Sequence, residues 1–308
     1  MRVFGAAQVH AALPWPLLVE RLAQAFAAGA QVPVRHAHAL GGSDTLLLMP
    51  AWSDHTLGVK LVTVMPGNAG RSLATVQATY LLLERATGRA LALLDGEALT
   101  LRRTGAASAL AARHLARPDA SRLLIVGTGQ LARWMARAHA ALRPALTQLL
   151  VWGRNPHAGA ALAAELAHEG LPARVCDDLE FGVRHSDIVS CATTSRTALV
   201  HGAWLQPGTH LDLVGAFKAD MREADDAAIR LAHVCVDTYA GALAEAGDLV
   251  QAMQAGSIDR SHVRADLAEL VRGEVVLRQS PRDITLFKSV GTGLEDLAAA
   301  ELVWQQAG

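Results

Sequence analysis

The stretch RLLIVGTGQLARWMARAHA, Arg122 to Ala140, constrains this chain more than any other. An apolar run, Leu123 to Val126, ends at Gly127, and a helix-length segment from Leu131 to Leu142 follows almost at once. Short continuous apolar strands that alternate with helices belong to a parallel sheet covered on both faces. Between strand and helix stand Gly127, Thr128, Gly129, Gln130, Leu131 and Ala132, a GxGxxA spacing. Gly127 permits the tight turn, Gly129 lets the backbone approach a pyrophosphate, and Ala132 permits close packing of helix on sheet. The anion then rests on the N–H groups of the helix start. A lone match to this spacing is a weak signal. Here it lies between a strand and a helix and opens a strand–helix–strand run, so it predicts a dinucleotide site.

The next strand decides which nicotinamide cofactor fits. A site for NAD usually ends that strand in Asp or Glu, which grips the ribose 2′-hydroxyl. This one reads LLVWGRNPHA, with Gly153, Arg154 and Asn155 and no acid. A carboxylate would repel a 2′-phosphate, whereas a guanidinium pairs with one. NADPH is therefore expected ahead of NADH, with Arg154 and Asn155 as contacts. The plainer reading of Arg154 is a solvated residue at a helix start.

The remaining chain divides by its grammar. From Arg122 to Val236, RLLIV, QLLVW, ARVC, DIVSC, THLDLV and HVCV are short apolar strands, the first three separated by helices at Leu131–Leu142 and Pro156–His168. Before Pro118, TLLLMP, LGVKLVTVMP, TYLLLE and RALALLD follow one another without crossover helices, which predicts an antiparallel α+β layer. WPLLVERLAQAFAAGA reads as an amphipathic helix stopped by Gly29, and EALTLRRTGAASALAARHLARP as a long helix ended by Pro118. Strand, glycine turn and helix close the chain in DITLFKSVGTGLEDLAAAELVWQQ. The expected architecture is α/β: a doubly wound Rossmann domain at 119–285, and an α+β substrate and dimerisation domain from 1–118 with 286–308.

Composition removes other classes. With 28 basic and 29 acidic residues the formal charge is −1, against a nucleic-acid or membrane-surface role driven by bulk charge. No apolar run reaches the roughly 18–20 residues of a membrane span. Three cysteines without CxxC spacing predict neither a disulfide framework nor a zinc site, and a cytoplasmic setting follows. The histidines show no HExxH spacing, and the one HxH pair, His36 and His38, has no third ligand beside it in sequence, so no metal is expected. Cys191 ends an apolar strand and reads as a buried structural thiol rather than a nucleophile.

Several segments, taken in order, resemble the ornithine cyclodeaminase/μ-crystallin family: VPVRHAHAL with TLLLMPAW, LGVKLVTVMPGN, LRRTGAASALAARHLARPDA, VGTGQLA, SDIVSCATTS and LFKSVGTGLEDLAAA. They span nearly the whole chain. The resemblance implies homodimers acting on small α-amino or α-imino acids, with Arg35, Lys60 and Arg103 holding the substrate carboxylate. The chemistry suits them, because a guanidinium holds a carboxylate bidentately and a nearby lysine supplies charge or a proton. Lys60 stands alone in an apolar strand, where an unpaired charge is costly. Arg102 and Arg103 are neighbours on a helix and point apart, and the resemblance selects Arg103. Arg35 reads equally as a surface residue of an edge strand. The resemblance also implies nucleotide contacts at Thr193, Thr194, Val214 and Ser289, with Gly291 facing the nicotinamide.

One departure from the family pattern shapes the functional expectation. In ornithine cyclodeaminases the strand equivalent to His210–Val214 is followed by Gly-Gly-Asp, whose aspartate handles the substrate's δ-amine. Here Gly215, Ala216 and Phe217 follow. A phenyl ring can neither take a proton nor pair with an ammonium. It can form an apolar wall beside a preformed cyclic imine, and the run GAFKADMRE resembles the family branch that reduces Δ1-pyrroline-2-carboxylate and Δ1-piperideine-2-carboxylate. Asp220, Met221 and Arg222 are expected to fix the loop, and Asp225 and Asp226 to start a solvated helix. Lys60, or a water it positions, is the expected proton source. Alternatives on the same scaffold are an alanine-dehydrogenase-like enzyme, a residual cyclodeaminase, and a non-catalytic NADPH or small-ligand binder.

Overall fold

The computed structural model describes residues 1–71 and 73–307 and divides the chain into two units, 1–104 with 292–308 and 105–291. The first unit opens with β1 (Arg2–Phe4), α1 (Ala6–Ala12) and α2 (Trp15–Ala28). Gly29, at φ +77°, ends α2, because the left-handed region is open to glycine. Then follow β2 (His36–Gly41), β3 (Asp44–Trp52), β4 (Thr56–Val64), β5 (Val76–Glu84) and β6 (Ala90–Asp95). They form one sheet in the order β1-β6-β5-β4-β3-β2, antiparallel except that β1 joins β6 in parallel. Along β4 the side chains alternate: Gly58, Lys60 and Val62 are buried, while Leu57, Val59 and Leu61 are half-buried or exposed. That is the signature of a sheet with one covered face.

A long helix, α3 (Gly96–Leu115), carries the chain from the first unit into the second. The boundary falls between Thr104 and Gly105, inside this helix, and not at Pro118.

The second unit contains β7 (Arg122–Val126), α4 (Gln130–Leu142), β8 (Gln148–Trp152), α5 (Pro156–His168), β9 (Ala173–Val175), α6 (Leu179–Arg184) and β10 (Ile188–Cys191). After them come β11 (His210–Leu213), α7 (Asp226–Leu231), β12 (His233–Val236), α8 (Tyr239–Glu245), α9 (Gly247–Gln254), β13 (Val263–Asp266), α10 (Leu267–Val271) and β14 (Thr285–Lys288). The eight strands pair in parallel in the order β13-β12-β14-β11-β10-β7-β8-β9. From β7 the chain winds outward through β8 and β9, then returns to β10 on the other side. The switch point, where a doubly wound sheet opens its ligand crevice, therefore lies between β7 and β10. Two apolar cores fill the faces of the sheet, one around Leu124, Val189, Leu211 and Leu249, the other around Leu123, Ile125, Ala136 and Leu162.

Two sequence expectations need correction. β14, assigned from residue 286 onward to the first unit, sits inside the parallel sheet between β11 and β12, because its apolar TLF run is buried on both faces. β13 was missed, since Val263–Asp266 is four residues long and half charged. Beyond residue 291 the chain returns to the first unit as α11 (Gly293–Gln306), which packs on α2, β3 and β4 and is buried from Gly293 to Val303.

Candidate active site

The turn after β7 has the form the GxGxxA spacing requires. Gly127 lies at φ +126°, and a Cβ there would stand 2.7 Å from the carbonyl of Ala192 in the loop after β10, so only glycine fits. Gly129 precedes α4, and nothing lies within 4 Å of the place a Cβ would occupy. No side chain caps α4, so its first N–H groups are open to an anion. Thr128 is half-buried, Gln130 is exposed, and Leu131 packs against the core that includes Ala132. The donor set and the open glycine face fit a dinucleotide pyrophosphate.

At the end of β8, Arg154 is exposed and Asn155 caps α5, its Oδ1 accepting from the N–H groups of His157 (3.0 Å) and Ala158 (3.4 Å). The capping role is one that the sequence argument did not assign to Asn155. Val214 is buried in the core under β11, its N–H donating to the carbonyl of Cys191 at 3.0 Å. Cys191 is fully buried, and burial pushes its thiol well above the usual range, as a structural cysteine requires.

Three acids unforeseen from the sequence hold the loops at this end of the sheet. Glu223, fully buried, accepts from Thr193 through its backbone N–H (2.7 Å) and hydroxyl (2.9 Å), and from the N–H groups of Gly215 (2.7 Å) and Ala216 (3.2 Å). Burial pushes its carboxyl up to about 7, with Lys288 pulling the other way. Asp237 accepts from the Ser289 hydroxyl (3.0 Å) and from the N–H groups of Val290 (2.8 Å) and Gly291 (2.6 Å), which fixes Gly291 at φ +81°. Asp248 accepts from the N–H groups of Glu223 (2.7 Å) and Ala224 (3.0 Å) and lies 3.0 Å from the ammonium of Lys288. Thr194 and Phe217 remain exposed, and the Lys218 ammonium stands 5.8 Å from the Phe217 ring centre. Arg222 braces the loop by pairing with Asp226 at 2.6 Å. Asp225 caps α7 as expected, but both aspartates are half-buried and bonded rather than solvated.

In the first unit, Lys60 and Arg103 come together. Lys60, on the covered face of β4, is only 3% exposed. Its ammonium lies 3.0 and 2.7 Å from the two carboxylate oxygens of Asp296 and 3.3 Å from the Thr100 hydroxyl. Arg103, from α3, donates to Asp296 at 3.0 Å and to Glu295 at 2.5 Å. Lys60 is thus paired, not alone, and its counter-ions come from the first turn of α11. Burial lowers the Lys60 pKa from 10.5 to about 8, opposed by Asp296 and reinforced by Arg103. Directly across the strand pair, Tyr80 is buried, and it occupies the space left by Gly58, where a Cβ would stand 1.9 Å from its hydroxyl. Arg102 points elsewhere, its guanidinium 3.8 Å above the Trp15 ring. Arg35 is half-buried in the extended segment before the edge strand β2, outside any strand. Glu295 and Asp296 were legible in principle: adjacent acids in an otherwise buried helix must face cations, and Lys60 and Arg103 needed partners.

Comparison with known proteins settles the lineage. A model of the ornithine cyclodeaminase/mu-crystallin family matches residues 9–308. The chain belongs to that family. Among its relatives, the Δ1-pyrroline-2-carboxylate reductase of Paracoccus denitrificans is 39% identical over 294 residues, covering 94% of this chain and 92% of its own. The Δ1-pyrroline-2-carboxylate reductase of Thermococcus litoralis, solved with NADH and L-proline, superposes with a TM-score of 0.94 at 34% identity, covering 100% of this chain and 97% of its own. An archaeal alanine dehydrogenase, solved as a dimer with bound NAD, gives 0.93 at 27% identity, covering 100% and 96%. The family fold, a Rossmann-type sheet with a second domain, is the one described above. Among the described residues no helix is long and apolar enough to cross a membrane.

Proposed function

We propose that this family member is an NAD(P)H-dependent reductase of a cyclic imino acid, converting Δ1-pyrroline-2-carboxylate, or its six-membered homologue, to the corresponding L-amino acid. The observation that carries the reading is the buried pair Lys60 and Arg103. Two cations neutralised by side-chain carboxylates can exchange an acid of the protein for the carboxylate of a substrate. Arg35 is assigned to the same carboxylate. The bound nicotinamide supplies hydride to the imine carbon. Lys60, in its ammonium form, supplies the proton to nitrogen directly or through water. Phe217 contributes an apolar surface and no base, which suits an imine that has no second amine to expel. The relatives named above support the same chemistry.

For the cofactor, Arg154 and the absence of an acid at the end of β8 favour NADPH over NADH. For assembly, we infer a homodimer formed through the open face of the first sheet, where Leu46, Leu48, Leu57, Val59, Leu81 and Leu83 are only half-buried and Leu61 is exposed. A leucine-rich face of this extent is expected to be covered. The three cysteines are buried free thiols, in keeping with a cytoplasmic setting.

The test is direct. The purified protein is given Δ1-pyrroline-2-carboxylate with NADPH or NADH, without ammonia, and separately ornithine with NAD⁺ or NADP⁺. Imine reduction in the first assay and no ammonia in the second are expected. Stoichiometric ammonia from ornithine would overturn the reading. Pyruvate reduction dependent on added ammonia, without imine reduction, would favour an alanine dehydrogenase.

A further inference from the structure

The buried acid Glu223 has no part in the chemistry just described, yet it is among the most heavily bonded side chains of the second unit. Its two oxygens take four donors from two different loops: Thr193, after β10, and Gly215 with Ala216, after β11. Four donors converge on its two oxygens, a geometry that favours the bound anion against the burial that raises its carboxyl to about 7. Stability alone is a weak reason for such a group, because a buried carboxylate costs several kcal/mol of desolvation and an apolar side chain of similar size often serves as well. Steric fit adds a second, independent sign that the loops are set against one another. A Cβ on Gly215 would stand 2.0 Å from the carbonyl of Thr193. The glycine turn after β7 meets the same loop, since a Cβ on Gly127 would stand 2.7 Å from the carbonyl of Ala192. Behind Glu223 the anchoring continues into α9. Asp248 holds the N–H groups of Glu223 and Ala224, and Gln251 donates to the carbonyls of Ala219 (2.8 Å) and Met221 (3.1 Å).

We propose that Glu223 is a positioning residue for the reduction: it ties the loop after β10 to the loop after β11, so that Thr193 and Phe217 are presented in one fixed relation to cofactor and substrate. The proposal rests on the reductase reading above. Glu223 touches neither reactant and acts through the two loops. Removing the tie leaves each loop able to form its own turn, but their mutual register, and with it the cofactor's seat at the switch point, is lost.

Glu223→Gln tests it, because the amide keeps the size and offers an acceptor on one side only. It can satisfy Thr193 or Gly215 with Ala216, but not both. The expected result is a folded protein whose Kd for NADPH or NADH rises about tenfold and whose kcat/KM for the imine falls about 10- to 100-fold, the scale of a small misplacement of reacting groups. A purely structural role would lower Tm or the active fraction and leave Kd and KM where they were. Ile229→Val, a destabilising change in α7 away from both loops, gives that control. If Glu223→Gln does not fold, Glu223→Asp keeps the charge but is one methylene too short to span the two loops, and it should show the same rise in Kd. Unchanged cofactor Kd and imine KM in a folded variant would overturn the proposal. Cofactor binding is read by nicotinamide fluorescence without substrate. If the parent protein binds cofactor but reduces no imine, the reductase reading fails while the effect of Glu223 on cofactor seating is still decided.

Discussion

The two sheets of this chain bury charge in opposite ways. Where the strands of the parallel sheet end, three buried acids are satisfied chiefly by backbone: Glu223, Asp237 and Asp248 together take eight N–H groups. In the mostly antiparallel sheet the buried acids Glu295 and Asp296 are satisfied by side-chain cations, Lys60 and Arg103. Backbone donors are fixed by the strands they end, so the first arrangement is a brace that holds loops still. Side-chain ion pairs can re-partner when another carboxylate arrives, and we propose that the second is an anion site held closed by the protein's own acids. Within one fold, the same buried chemistry thus gives rigidity in one unit and exchangeability in the other.

If that contrast is right, the largest effect should come from Lys60. Lys60→Met removes a carboxylate ligand and the expected proton source together. It should lower kcat/KM for the imine about 1,000-fold, within the span of general acid–base contributions. Cofactor Kd should stay within about twofold, because the brace in the other unit is untouched. The parent enzyme should also carry the Lys60 titration. The ammonium form is required, so kcat/KM is expected to be level below about pH 8 and to fall about tenfold per unit above it. The limb should vanish in Lys60→Met. Stability runs in the other sense. The folded pKa is depressed from 10.5 to about 8, so the cost of burying the charge is fully present below about pH 8 and is relieved as pH rises toward 10.5. A high-pH limb unchanged in Lys60→Met would remove Lys60 from proton transfer.

A smaller effect is expected from the arginines, and it separates ligand binding from folding. Arg103→Ala leaves Glu295 and Asp296 short of a partner in a buried site. It should cost about 3–5 kcal/mol of stability, as breaking a buried pair does. Arg35→Ala, at a half-buried position, should leave Tm nearly unchanged and raise KM for the imino acid roughly 10- to 150-fold, the equivalent of about 1.5–3 kcal/mol for a charge-assisted bond. A rise in cofactor Kd with either variant, measured on folded protein, would break the division of labour between the units.

The same contrast explains what could be read from the chain. Continuous apolar runs such as Leu123–Val126 announce a sheet covered on both faces, and strands that follow one another without crossover helices before Pro118 announce an antiparallel layer, so both layers were legible. The glycine turn was legible because its chemistry is local: one positive φ and one open face. That the buried charges needed partners was legible, but which acid meets which cation was not, because Lys60 meets Asp296 across 236 positions of sequence and no local period encodes such a contact. Glu223 was hidden for a related reason. It sits in an acidic stretch, Asp220 to Asp226, that reads as solvated polarity, and only the closing of two strand ends around it makes it a buried anion. β13 escaped because a buried edge strand four residues long carries too little pattern to stand out.

Arg154 gives the smallest expected effect and tests the part of the second unit that is not braced. It is exposed at the start of the segment capped by Asn155. A guanidinium in water pairs with a 2′-phosphate more weakly than a buried one would, since exposed ion pairs contribute about 0–1 kcal/mol and are screened by salt. NADPH should therefore be favoured over NADH by about fivefold in kcat/KM at low ionic strength, with the ratio shrinking toward one as salt is raised across roughly a tenfold range. Arg154→Ala should remove the preference by weakening NADPH alone, leaving NADH and the imino-acid KM unchanged. Equal kcat/KM for the two cofactors in the parent enzyme at low salt would mean that Arg154 is a solvated helix-start residue and nothing more. A preference that survives high salt would mean the 2′-phosphate is held by backbone N–H groups, bringing cofactor choice under the same rigid logic as the rest of that sheet.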